Sequence, residues 1–185
     1  MYDSDSFGAV KGPVADVTIG PISIINPPVR SLPSVPCNAK GQRLHQCNTV
    51  SNGYSIQGLS NGQFGSNGKA VNGLSFKSNS LQITFSITPK STGASDLMEF
   101  YLNSPTYTPI FSIGFVPNTL NLQIKTPSDF GVLNTTASLG LRKATIVTVK
   151  VSPTSTSISF DGKLFIVRRG IANIPTSLAF SSPPM

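Results

Sequence analysis

The sequence predicts an all-β fold, an antiparallel β-sandwich preceded by an extended proline-rich arm. Three observations carry this. Apolar and polar residues alternate with a period of two over several short segments, as in Leu81, Ile83, Phe85 and Ile87 against Gln82, Thr84, Ser86 and Thr88. Those segments are separated by Pro, Gly and Asn turn residues. No long segment has the 3.6-residue periodicity of an amphipathic helix.

The elements follow in chain order. Residues 1–50 are read as the arm: Pro13, Pro21, Pro27, Pro28, Pro33 and Pro36 recur there, and proline removes a backbone donor that a helix or central strand would use. The arm also holds apolar side chains, and Val17, Ile19, Ile22, Ile24 and Ile25 are the candidate contacts to a neighbouring subunit. Residues 51–185 are read as the sandwich. Its first part carries Asn52-Gly53, Asn61-Gly62, Asn67-Gly68 and Asn72-Gly73, pairs suited to the positive φ of tight turns. Strands are then expected at Leu81–Ile87, around Met98 and Phe100, and at Ile110–Val116, the last apolar enough to be buried on both faces. Further strands are expected around Leu122, at Val147–Val151, and in a hairpin that turns at Asp161-Gly162. A final one includes Leu178 and Phe180.

The stretch 74–167 resembles the laminin-G/concanavalin-A-like sandwich group. The residues that carry the likeness are Leu81–Pro89 as an opening strand, Phe111–Phe115 with Leu120–Ile124 as paired central strands, and Thr145–Val151 with Ser157–Leu164 as a late hairpin. A tryptophan common before that late strand is absent, since the chain has none. The resemblance implies a jelly-roll-like sandwich with a binding or structural role, and it brings no catalytic residues with it. A viral-capsid jelly roll is the competing architecture.

Composition narrows the function. Charged residues are 11% of the chain, so its polar surface rests mainly on Ser, Thr, Asn and Gln. The net charge is +7, but the cations are scattered, with doublets only at Arg142-Lys143 and Arg168-Arg169, and nucleic acid is not an expected partner. No apolar run approaches the ~20 residues of a membrane span. No signal peptide is visible in the polar start Met1-Tyr2-Asp3-Ser4-Asp5-Ser6.

The candidates for chemistry are few. Cys37 and Cys47 bracket a short loop containing His45, the sole histidine. A disulfide there would stabilise by about 2–3 kcal/mol; two free thiols remain open, and a zinc site lacks a fourth ligand. Glu99 is the sole glutamate, and its alternating position suggests a solvent-facing side chain. Tyr101, Asn103 and Tyr107 have the aromatic and amide chemistry of a sugar site. No catalytic pair of carboxylates, metal set or cofactor motif is evident. The expectation is a non-enzymatic structural component of a multi-subunit particle, a viral capsid or surface-decorating protein, whose arm contacts copies of itself or other subunits in a virion or another extracellular assembly. A lectin-like module that binds glycans is the alternative.

Overall fold

A computed structural model describes residues 15–27, 53–56, 71–93, 96–103, 105–106, 108–127, 129–135 and 137–181, with backbone alone for 129–134. They form an antiparallel β-sandwich of two sheets. The strands are β1 (Val17–Ile19), β2 (Ile22–Ile25), β3 (Gly53–Ile56), β4 (Val71–Ser75), β5 (Leu81–Pro89), β6 (Asp96–Tyr101), β7 (Pro109–Phe115), β8 (Leu122–Thr126), β9 (Asp129–Asn134), β10 (Thr145–Val151), β11 (Ser155–Phe160), β12 (Lys163–Arg169) and β13 (Ser177–Ser181). One sheet runs β12-β11-β10-β5-β2-β3, with β1 also on β5. The other runs β4-β13-β6-β7-β8-β9.

The period of two places the core. In β5, Leu81, Ile83, Phe85, Ile87 and Pro89 are buried, and across the ladder they meet Val147, Val149 and Val151 of β10. From the facing sheet come Phe100 and Phe111, stacked with centroids 4.5 Å apart, and Phe180, edge-on to Phe100 at 5.3 Å. One side of the sandwich is tied by Tyr54 of β3. Its hydroxyl accepts from the Ser75 N–H at 2.9 Å, and its ring packs edge-on against Phe76. On the other side β12 comes close to β9 without pairing with it.

The expected arm needs correcting. Val17, Ile19, Ile22 and Ile24 lie in this chain's own core, at most 2% exposed. They are held there because β1 and β2 run antiparallel along β5: Val17 pairs with Pro89 and Ile19 with Ile87, then Ser23 with Thr84 and Ile25 with Gln82. The register shifts by one residue between the two strands, so Gly20-Pro21 forms a bulge, where a proline costs no ladder bond. The Gly20 N–H still reaches the Ser86 carbonyl at 3.0 Å, and a side chain at Gly20 would meet Ser86 Oγ at 2.8 Å. The segment is stitched at both ends. Asp16 accepts from the Lys90 N–H at 2.7 Å, while the Asn26 amide donates to Ser80 O at 2.8 Å and accepts from the Lys77 N–H at 2.9 Å. The sandwich therefore begins by residue 15 rather than at 51. Those four side chains are not free for a neighbour, and only Ile25 is half-buried.

Of the Asn-Gly pairs, Asn72-Gly73 sits inside β4, with Gly73 at φ 78°, instead of turning a hairpin. Asn61-Gly62 and Asn67-Gly68 lie outside the described residues, as do Cys37, His45 and Cys47. The hairpin at Asp161-Gly162 is as expected: φ is 51° and 83°, and β11 and β12 flank it. β9 was not foreseen. No helix among the described residues is long and apolar enough to cross a membrane.

Candidate functional site

Two regions stand apart from an ordinary sandwich surface. The first is the face of the β6–β7–β8 sheet turned away from the apolar core. Ser181, Glu99, Ser112 and Lys125 occupy one cross-strand row there, from β13 to β8. Tyr101 and Gln123 flank it, and all six are buried. The Lys125 ammonium meets the Asp96 carboxylate at 2.6 Å. The Tyr101 hydroxyl donates to Glu99 Oε1, and the Gln123 amide donates to the Phe115 carbonyl at 3.4 Å. Burial pushes the Asp96 carboxyl above its ordinary value, against the pull of the Lys125 charge and hydrogen bond. Asp96 Oδ2 and Ser112 Oγ have no hydrogen-bond partner among the described residues. Carboxylates, an ammonium and a phenol could in principle move protons. Here they are spent on one another and closed to solvent, which is the chemistry of a buried network.

Most of the candidates named from sequence behave structurally. Glu99 is not solvent-facing: it is 1% exposed, because the whole face is covered. Tyr101 is wholly buried and bonded to Glu99, so its ring offers no platform to a sugar. The Asn103 side chain accepts from the Gly73 N–H at 2.8 Å and donates to Ser177 Oγ, which spends its amide on the fold. Tyr107 lies outside the described residues. The sugar site therefore loses two of its three residues.

The second region is β12. This strand is the outer member of its sheet and pairs only with β11 among the described residues. Its burial pattern is open nearly throughout, with Leu164 55%, Phe165 40% and Val167 49% exposed. Leu164 and Val167 share the outer face, opposite Ser159 and Ser157. A bulge there adds Phe165 as the extra residue, and its ring leans on Phe160 at 4.8 Å. The Lys163 ammonium sits 5.7 Å from the centre of the Phe165 ring. Each end of β12 opens on a cleft. One, of about 380 Å³, is lined by Lys143, Phe160, Asp161, Lys163 and Phe165 among others. The other, of about 580 Å³, is lined by Leu102, Ile110, Ile171 and Arg169 among others.

Edge strands expose unpaired N–H and C=O groups, and proteins usually blunt them with prolines, bulges or short length. Here a bulge and three cations are present, yet the apolar side chains stay open. Sequence reading identified Leu164–Val167 as a returning strand without marking it as an interface. The signal was present: a four-residue apolar run without alternation, framed by Lys163 and Arg168-Arg169, ends a meander with no further strand close behind it.

No family model and no curated protein matches the chain. Among solved structures, the crystal structure of the alginate lyase from Corynebacterium sp. is similar over 90% of this chain and 80% of that one, at 10% identity and a TM-score of 0.37. That protein is an enzyme, so the expectation of a non-enzymatic chain is withdrawn. A likeness at this level supplies no activity, substrate or catalytic residue here. The sandwich itself rests on its own two antiparallel sheets.

Proposed function

We propose that the chain is a structural subunit of a multi-subunit particle, of the kind that forms or decorates a virion, and that it meets a second copy through the β12 edge. The observation that supports this reading is the open apolar edge itself. Fully burying a large apolar side chain contributes roughly 1.5–3 kcal/mol. Leu164, Phe165 and Val167 stay about half wet in the single chain, so a partner that covers them recovers part of that energy and can add main-chain hydrogen bonds of its own. The low-charge surface, 11% charged residues, agrees with a chain that packs against like neighbours. Membership of the laminin-G/concanavalin-A-like sandwiches belongs to the same proposal, supported by the β10-β11-β12 meander with its Asp161-Gly162 turn.

The test is size-exclusion chromatography with light scattering on the purified chain, alone and as Leu164→Ser/Val167→Ser. The wild type is expected to run as an assembly and the variant as a 19.5 kDa monomer with unchanged circular dichroism. A wild type that stays monomeric across the accessible concentrations overturns the reading, as does a variant that assembles equally well.

A further inference from the structure

We infer that the segment received by β12 is residues 1–14 of a second copy. The inference rests on the assembly reading above and names the part of the partner that docks. Charge is the first argument. The β12 edge is framed by Lys163, Arg168 and Arg169, with Lys143 and Asp161 both lining the neighbouring cleft. The chain has seven acidic residues. Asp96 and Glu99 are buried, Asp16 lies in the segment pinned at β1, Asp129 opens β9 and Asp161 sits in the β11–β12 turn. Asp3 and Asp5 are the two acids that remain, two residues apart in the segment before Ala15, where Lys11 is the single basic side chain.

Spacing is the second argument. Extended chain rises about 3.3 Å per residue. From Lys163 to Arg169, β12 therefore spans roughly 20 Å between its two clefts. Tyr2 and Phe7 flank the two aspartates and stand roughly 17 Å apart in extended form. In an added strand Asp3, Asp5 and Phe7 would share one face and Tyr2 the other, with the carboxylates set toward the Arg168-Arg169 end of β12. Main-chain bonding supplies affinity in such strand addition, and the pockets supply selection.

Length is the third. The described chain starts at Ala15, and β1 is fixed on β5 from Val17 onward. Fourteen residues reach up to about 46 Å when extended, enough to leave one sandwich and lie along the edge of another.

The experiment uses full-length chains in light-scattering chromatography, with a synthetic peptide of residues 1–14 as competitor. Asp3→Lys/Asp5→Lys is expected to run as monomer, and its combination with Lys163→Glu/Arg168→Glu to regain assembly. The peptide is expected to dissociate the wild type, less so in high salt, because screened charges attract less. If Asp3→Lys/Asp5→Lys assembles like wild type while Leu164→Ser/Val167→Ser does not, this inference is overturned and the β12 interface stands. A charge swap that fails to restore assembly, or a peptide without effect, overturns it as well. If neither the aspartate nor the β12 variants change an assembled wild type, the assembly reading falls and takes the inference with it.

Discussion

Asp96 Oδ1 and Lys125 Nζ lie 2.6 Å apart across β7, with side chains only 2% and 7% exposed. β7 makes the contact possible. It places Gly114 beside Asp96 and Ser112 beside Lys125, so no large side chain stands between the strands on that face. Removing one member of a buried pair strands the other charge and costs about 3–5 kcal/mol, whereas replacing both by apolar residues is often neutral or stabilising by 1–4 kcal/mol. Lys125→Met is therefore expected to lower the urea midpoint strongly, and Asp96→Leu/Lys125→Met to restore it. A double variant as weak as the single one would contradict this account.

The same pair predicts a pH dependence. Burial outweighs the pull of Lys125, so the folded pKa of Asp96 lies above the ordinary 3.8. The native state then binds this proton more tightly than the unfolded chain does. The group's contribution is most favourable below pH 3.8 and is lost as pH rises through the raised value, opposite to a carboxylate with a depressed pKa. The stability gained by Asp96→Leu/Lys125→Met relative to wild type should therefore grow over that interval and level off above it. Urea titrations at a series of pH values measure it, and a gain that shrinks as pH rises refutes the assignment.

The first two strands separate core from tail. Ile24 is wholly buried between β5 and β3. Ile24→Ala should cost about 2–5 kcal/mol, while Ile146→Ser, at a site 53% exposed, should stay within about 0.5 kcal/mol. Deleting residues 1–27 should unfold the sandwich, because β5 loses both antiparallel partners on that side. Deleting residues 1–14 should leave the sandwich folded, with an unchanged circular dichroism spectrum. A folded 1–27 deletion would return β1 and β2 to the status of a detachable arm.

These strands also show where the sequence was misleading. The alternation in β5, β10 and β11 was legible because one face of each is apolar and the other polar. β1 and β2 alternate too, yet the density of prolines pointed to an arm. What local pattern could not show is that Pro21 falls on a bulge and Pro27 past the end of β2, where neither interrupts a ladder. Glu99 and Lys125 show a second limit. A polar residue at an outward position reads the same whether solvent or protein covers that face. β12 shows a third, since being an edge is a property of the assembled sheet.

The Asp161-Gly162 turn gives a graded test. Gly162 sits at φ 83°, and a side chain there costs roughly 1–2 kcal/mol. Asp161 also holds the start of β10: its N–H donates to the Ile146 carbonyl at 2.7 Å, and its Oδ1 accepts from the Ile146 N–H at 2.9 Å. Asp161→Asn keeps an acceptor and tolerates a positive φ, so it should be nearly neutral. Asp161→Ala should lose about 0.5–1.5 kcal/mol. Equal melting temperatures for the Ala and Asn variants would remove the side-chain bond from the account.

Gly170 follows β12 and turns the chain toward β13. A Cβ built there would lie 2.3 Å from both the carbonyl carbon and oxygen of Pro153 and 2.5 Å from the Thr154 nitrogen. All three are backbone atoms, and the turn that carries them is bonded to the same segment, through the Ile171 N–H on the Ser152 carbonyl at 2.9 Å. Neither side can yield without breaking that contact. Gly170→Ala should therefore cost at least the 1–3 kcal/mol typical of overpacking. Gly73→Ala, with nothing within 4 Å but φ at +78°, should show only the conformational penalty of about 1–2 kcal/mol. The two variants differ in a second way. Gly170 lines the cleft beside Arg169 at the end of β12, so its substitution should weaken assembly at temperatures where the sandwich is still folded, and Gly73→Ala should not. Chemical denaturation combined with light scattering separates the two effects. If Gly170→Ala is no less stable than Gly73→Ala, the backbones around Pro153 and Gly170 are not in the close approach described.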